Sequence, residues 1–104
     1  MNQIFELPAE LSIYTVADTH RRLQVWLGQQ IDSAAAQLQL LAHGVEEIDG
    51  AGFQLLGALA NSVAALGVPL RVVAPSRTFV ETSATLGCID WFDVTEQAAA
   101  REVA

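Results

Sequence analysis

Val45-Glu46-Glu47-Ile48-Asp49-Gly50-Ala51-Gly52-Phe53-Gln54-Leu55-Leu56 reads as the end of a buried strand, a short acidic turn and the start of a helix. Asp49 is placed to cap that helix, because its carboxylate can accept hydrogen bonds from the first free backbone N–H groups. It also stands at the positive end of the helix dipole, where a negative charge is favoured. Gly50, Ala51 and Gly52 have almost no side chain, so the first helical turn presents nearly bare backbone. Something large can come close there: another part of this chain, a phosphate or a partner protein.

From Gly50 to Leu70 there is no charged residue. A run of that kind has to be tested as a membrane span. Gly50, Gly52, Gln54, Gly57, Asn61, Ser62, Gly67 and Pro69 argue against one, as do the acidic residues before it. Its large apolar residues are also periodic: Leu55, Leu56, Leu59, Val63 and Leu66 fall on one helical stripe. Gly50, Gln54, Gly57, Ala58, Asn61, Ser62 and Ala65 form the opposite face, which is neutral, small and flat. A solvent-facing helix ordinarily carries Lys, Glu or Arg there. Depletion of charge marks the centre of a protein interface. The expectation is a docking surface made of Asp49, Gly50, Ala51, Gly52 and Phe53 with Gln54, Gly57, Ala58 and Asn61. The plain alternatives are a helix that merely lacks charge and an Asp49 that only caps it.

The whole chain bounds the function further. Its 104 residues suit a single domain spanning 1–104. With 52% hydrophobic and 16% charged residues it can bury a core. The formal net charge is −7, and all five basic residues are Arg. That balance excludes a basic nucleic-acid-binding surface and attraction to an acidic membrane. It suits a basic protein partner, or serves solubility alone. Cys88 is the one cysteine, so no internal disulfide is possible, and no zinc-ligand spacing surrounds it. Leu86 and Ile89 beside it point to a buried thiol. No metal or cofactor is expected. The N-terminus shows no signal peptide, so a cytoplasmic location is the default.

In order, Gln3–Leu7 and Ala9–Ile13 alternate as short strands around Pro8, forming a bent hairpin or one broken strand. A helix opening at Thr15 or Asp18 runs to about Gln30, with Trp26 in or near the core. Gln37–Ala42 reads as a strand, and His43-Gly44 as a break with a turn histidine. The helix after Asp49 ends at Gly67, a left-handed cap with Pro69 beyond it. Leu70–Ala74 is a buried-type strand. Ser76 caps a helix over Arg77–Leu86, with Phe79, Val80, Ser83 and Leu86 inward. Ile89–Val94 reads as a last strand, and Thr95 as the cap of a last helix. Strands separated by such helices need crossover connections, which gives an α/β fold. A central, mostly parallel sheet of four to five strands carries about four helices, on one face or both.

That order, with Ile48-Asp49-Gly50-Ala51-Gly52, Pro69-Leu70-Arg71-Val72-Val73 and Phe79-Val80-Glu81-Thr82-Ser83-Ala84-Thr85-Leu86-Gly87, resembles the STAS domain, the family of anti-sigma factor antagonists. The resemblance covers nearly the whole chain. The opening Leu7-Pro8-Ala9-Glu10-Leu11-Ser12-Ile13-Tyr14-Thr15-Val16 is similar to a bacterial subgroup often encoded beside chemotaxis genes. It implies a non-catalytic signalling module. The partner would be a histidine-kinase-like ATPase that acts as an anti-sigma factor, or a chemotaxis-type kinase. In sporulation-type members the partner phosphorylates a Ser or Thr just after the Asp of a D-S-[ST]-G turn. Asp49 matches that Asp and Gly52 that Gly. Gly50 and Ala51 fill the two positions between, and neither has a hydroxyl. Phosphorylation there would place nearly two negative charges against the partner. The resemblance therefore implies a binder that stays unphosphorylated at this turn. Thr82 and Ser83 are the nearest other hydroxyls in the matching motifs, with cap or core roles as the simpler expectation.

Two other functions belong beside this one. Some STAS proteins are subunits of lipid-transport ABC complexes, though these tend to carry a hydroxyl beside the Asp. A Gly-x-Gly turn at a helix N-terminus can also cradle a phosphate, as in a nucleotide-binding STAS domain. Here no further Gly, Lys or Ser stands at P-loop spacing, and Asp49 would repel an anion. No nucleophile–base pair is visible, so no enzymatic activity is expected. Homodimerisation through an edge strand stays open.

Overall fold

The computed structural model describes residues 4–32 and 37–95. In chain order the elements are β1 (Ile4–Glu6), β2 (Glu10–Leu11), α1 (Val16–Asp32), β3 (Leu38–Leu41), β4 (Glu47–Ile48), α2 (Gly50–Ala65), β5 (Leu70–Val73), α3 (Arg77–Thr85), a 3-10 turn over Ile89–Trp91, and β6 (Asp93–Thr95). β1, β3, β5 and β6 pair in parallel in the order β1-β3-β5-β6. The fold is α/β with a parallel four-stranded sheet, as the alternation of strands and helices requires. The helix expected after Thr95 lies outside the described residues.

Side chains alternate across a strand. Phe5 stands opposite Leu40, and Leu40 opposite Val72, so one row of buried apolar groups crosses the sheet on a single face. α1 covers the β1 end of that face with a stripe at helical spacing, since Thr19, Leu23, Trp26 and Gln30 are all buried. Trp26 meets Phe5 with ring centroids 5.5 Å apart. α2 and α3 complete the cover through Phe53 and Phe79, whose rings meet edge to face at 5.2 Å, with Phe92 packed beside both.

Three sequence expectations change. β1 and β2 form neither a hairpin nor one broken strand. β1 joins the main sheet, whereas β2 pairs in parallel with β4 in a separate two-stranded sheet. After the Leu7 N–H binds the Leu41 carbonyl, Pro8 has no N–H to continue the ladder, and the chain turns away. The acidic stretch before Asp49 is accordingly not the end of a central strand. The Glu46 and Glu47 N–H groups both donate to the Ala9 carbonyl, which starts the small sheet. Finally, Ile89–Trp91 is not strand: the Trp91 N–H closes a turn onto the Cys88 carbonyl, and β6 begins only at Asp93.

The helix ends follow the sequence more closely than the helix faces do. Asp49 caps α2 and Ser76 caps α3, each through its side-chain oxygen. Gly67 and Gly87 take positive φ just past α2 and α3. Leu66 and Leu86, expected inward, are instead 55% and 51% exposed, because each is the cap residue where its helix is already unwinding. Gly52 and Phe53 take their share of the buried face.

Gly52 is the most tightly packed of the glycines. A Cβ there would stand well inside contact distance of the Leu11 carbonyl oxygen, and 3.0 Å from Ile48 Cγ1. Only a glycine lets the first turn of α2 lie on β2 and β4. Gly52→Ala is expected to cost at least roughly 2 kcal/mol in urea unfolding, by overpacking against backbone that cannot rotate away; an unchanged midpoint would contradict this contact. Ala74 offers the opposite case, a non-glycine residue at φ 49 directly before Pro75. The left-handed region costs a residue with a Cβ about 1–2 kcal/mol, and glycine returns part of that gain through backbone entropy. Ala74→Gly should therefore raise stability by roughly 0.5–1 kcal/mol in the same assay.

Candidate functional site

Asp49 holds the site together. Its Oδ1 accepts from the Gly52 N–H at 3.1 Å, the N-cap bond of α2. Its Oδ2 accepts from the Ile13 N–H at 3.0 Å, across 36 residues of sequence. One carboxylate thus caps the helix and fastens the β2–α1 turn beside it. Those N–H groups, Ile13 first and Gly52 second, hold the Asp49 carboxyl below the usual carboxylate range. The turn is also knotted internally. The Ser12 hydroxyl donates to the Glu10 carboxylate at 2.6 Å and accepts from the Tyr14 N–H at 3.2 Å. The Thr15 hydroxyl accepts from the Ser12 N–H and donates to the Glu10 carbonyl, both at 3.0 Å. A turn held at so many points presents its outward side chains in a fixed arrangement.

Those side chains are Ile13, 61% exposed, and Tyr14, 89% exposed. The sequence placed Ile13 in a strand and gave Tyr14 no role. Their position beside α2 depends on the Asp49 bond, and no local pattern shows it. Trp91 is a further large exposed group, at 52%, as are Val25, Leu66 and Leu86 elsewhere. Its indole lies against Gly57, where a Cβ would meet ring atoms at 3.0 and 3.2 Å.

The expected docking residues divide in two. Gly50, Gln54, Ala58 and Asn61 are exposed along α2, and Asp49 and Ala51 are half-buried at its start. Gly52 and Phe53 are buried. They are corrected from surface to interior: Gly52 permits the approach to Leu11, and Phe53 fills the aromatic cluster with Phe79 and Phe92. Gly57 is half-buried, because Trp91 covers it, so a side chain added there would displace the indole. Ser62 and Ala65 continue the exposed face. The outcome is an uncharged surface from Gly50 to Ala65, with Ile13 and Tyr14 at its start and Trp91 along its flank.

The hydroxyls elsewhere are placed differently. Ser83 is buried and donates to the Val80 carbonyl at 2.9 Å, and Thr82 is half-buried. Gly50 is exposed with open space where a Cβ would stand. Cys88 is buried, and burial pushes its thiol up. No described helix is long and apolar enough to cross a membrane.

Asp49→Ala removes the cap and the tie to Ile13 together, and should cost about 1–2 kcal/mol at pH 7. The folded-state pKa is lowered, so the wild-type advantage is fully present above the ordinary carboxylate value of about 4. It is lost as pH falls through the lower folded value. Urea unfolding of both proteins between about pH 7 and pH 2 checks this, with the two curves converging only at the acid end.

No protein-family model matches this chain, and no curated protein matches it either. Among solved structures, a crystal structure of a candidate anti-sigma factor antagonist from Thermotoga maritima superposes with a TM-score of 0.69. The match covers 99% of this chain and 87% of that one at 12% sequence identity, so the likeness is one of fold. The α/β architecture, with a helix starting on a capped Asp-Gly-Ala-Gly turn, is a STAS-like fold.

Proposed function

We propose that this chain is a non-catalytic, cytoplasmic interaction module that behaves like an anti-sigma factor antagonist. It docks a histidine-kinase-like ATPase or a chemotaxis-type signalling kinase through the outer face of α2, with no phosphorylation of the turn at Gly50 and Ala51. The observation that carries this is the uncharged exposed face at Gly50, Gln54, Ala58, Asn61, Ser62 and Ala65, bordered by exposed Ile13, Tyr14 and Trp91. A helix face without charge, edged by large apolar groups on a fixed turn, has the composition of an interface centre. The capped turn supports a protein contact over an anion site: the Gly52 N–H is already bonded, and a carboxylate sits where a phosphate would.

The bare turn supports a binding state that phosphorylation cannot reverse there. In the family pattern a phosphate beside the Asp breaks the contact by charge repulsion. A hydroxyl at position 50 is sterically allowed, since nothing stands within 4 Å of a Cβ built there.

Affinity purification with mass spectrometry, followed by binding measurements on the purified partner, tests this. Ala58→Arg places a guanidinium on the exposed face without touching the core, and should weaken an ATPase or kinase partner at least tenfold. Incubated with ATP, that partner should leave the wild type unlabelled and label Gly50→Ser. An unchanged affinity for Ala58→Arg, or a partner that is neither ATPase nor kinase, would overturn the proposal.

A further inference from the structure

Beside α2 lies an open groove of about 470 Å³, lined by Gln54, Gly57, Ala58, Ala60, Asn61 and Trp91. We infer that it receives the guanidinium of an arginine side chain from the docking partner. The inference rests on the function proposed above and specifies the chemistry of the contact.

Trp91 supplies the reason for a cation. Part of its indole rests on Gly57 and the Phe92 ring centroid stands 6.3 Å away, yet the residue stays 52% exposed and lines the groove. An accessible indole face attracts a cation through its quadrupole, more strongly than any other side-chain ring. Gln54 and Asn61 supply the reason for a planar, many-donor cation. Both are exposed on the groove wall, and their amide carbonyls are acceptors. A guanidinium stacks flat on a ring while its N–H groups fan outward in its own plane, parallel to the ring; a lysine ammonium does neither. The floor of Gly57, Ala58 and Ala60 carries no polar side chain and leaves room for a flat group.

Charge decides against the other occupants. None of the six lining residues is charged, and the chain as a whole carries −7. Exposed Asp90 directly precedes Trp91. An anionic ligand would meet no cation in the groove, and a second copy of this chain would bring −7 against −7. The occupant is therefore a residue of a different protein, one with a basic contact surface.

The test uses small probes, so it does not depend on finding the partner. Trp26 is buried at 7% exposure, which makes Trp91 the solvent-facing fluorophore. N-acetyl-arginine amide should change the Trp91 emission saturably, with a dissociation constant on the order of 10 mM. In NMR spectra it should shift the Trp91 indole N–H and the Gln54 and Asn61 side-chain amides. N-acetyl-citrulline amide, the same shape without the charge, should have at least tenfold less effect, and N-acetyl-lysine amide an intermediate one. Gln54→Arg, on an exposed position, should abolish the response while leaving the circular dichroism unchanged. Equal responses to arginine and citrulline, or an unaltered response in Gln54→Arg, would overturn the inference. A partner lost with Ala58→Arg alongside no arginine response would sink this inference and leave the docking function standing. An arginine response with partner binding indifferent to Ala58→Arg would leave a guanidinium site in the groove but sink the docking function, and with it the assignment of that arginine to the partner.

Discussion

The approach of α2 to β2 depends on a missing side chain. The Leu11 carbonyl accepts the Asp49 N–H at 3.3 Å and lies directly against Gly52. With the backbone of one element packed on that of the other, Asp49 comes within reach of Ile13, and Phe53 turns into the space beside Phe79 and Phe92. The N-terminus of α2 is therefore fixed by contacts on the interior side, and Gly50 and Gln54 on its outer side are left exposed. A helix held there by side-chain packing alone would stand farther from β2, and the Asp49–Ile13 bond would not close.

This division explains why one short motif carries both architecture and surface. Asp49 and Gly52, the two positions that match the family turn, are engaged with the protein's own backbone. Gly50, lying between them, faces solvent. A side chain at the outward position can change without disturbing the inward ones, since nothing stands within 4 Å of a Cβ built at Gly50. A chain with Gly50-Ala51 keeps the scaffold contacts of Asp49 and Gly52 with no hydroxyl between them.

The same logic extends along the helix. Gly57 is a second place where a side chain is absent so that something can approach, and the group that approaches belongs to this chain. Trp91 fills the gap and converts a flat helix face into a groove with an aromatic wall. Burying the indole fully would have hidden this wall, and leaving it detached would have cost its packing. Half-exposed, it is anchored on one side and available on the other.

Much of the framework is legible in the amino-acid order, because caps and periodicity are local. Asp49, Ser76 and Gly67 mark helix ends through short-range hydrogen bonds and backbone geometry that depend on neighbours a few residues away. Gln37–Ala42 and Leu70–Ala74 read as strands, observed as Leu38–Leu41 and Leu70–Val73, and the helix between them forces parallel pairing. The neutral face of α2 is equally a sequence property. Tertiary structure decided which small residues are surface and which are interior. Gly50, Gly52 and Gly57 look alike in sequence, yet one is open, one meets the Leu11 backbone and one lies under Trp91, because each depends on an element at least 34 residues away or on none. The pairing of β2 with β4, and the placing of Ile13 and Tyr14 beside α2, likewise rest on contacts between segments far apart in the chain. Spacing and composition encode the elements; which neighbour occupies the space beside a glycine is settled only when the elements pack.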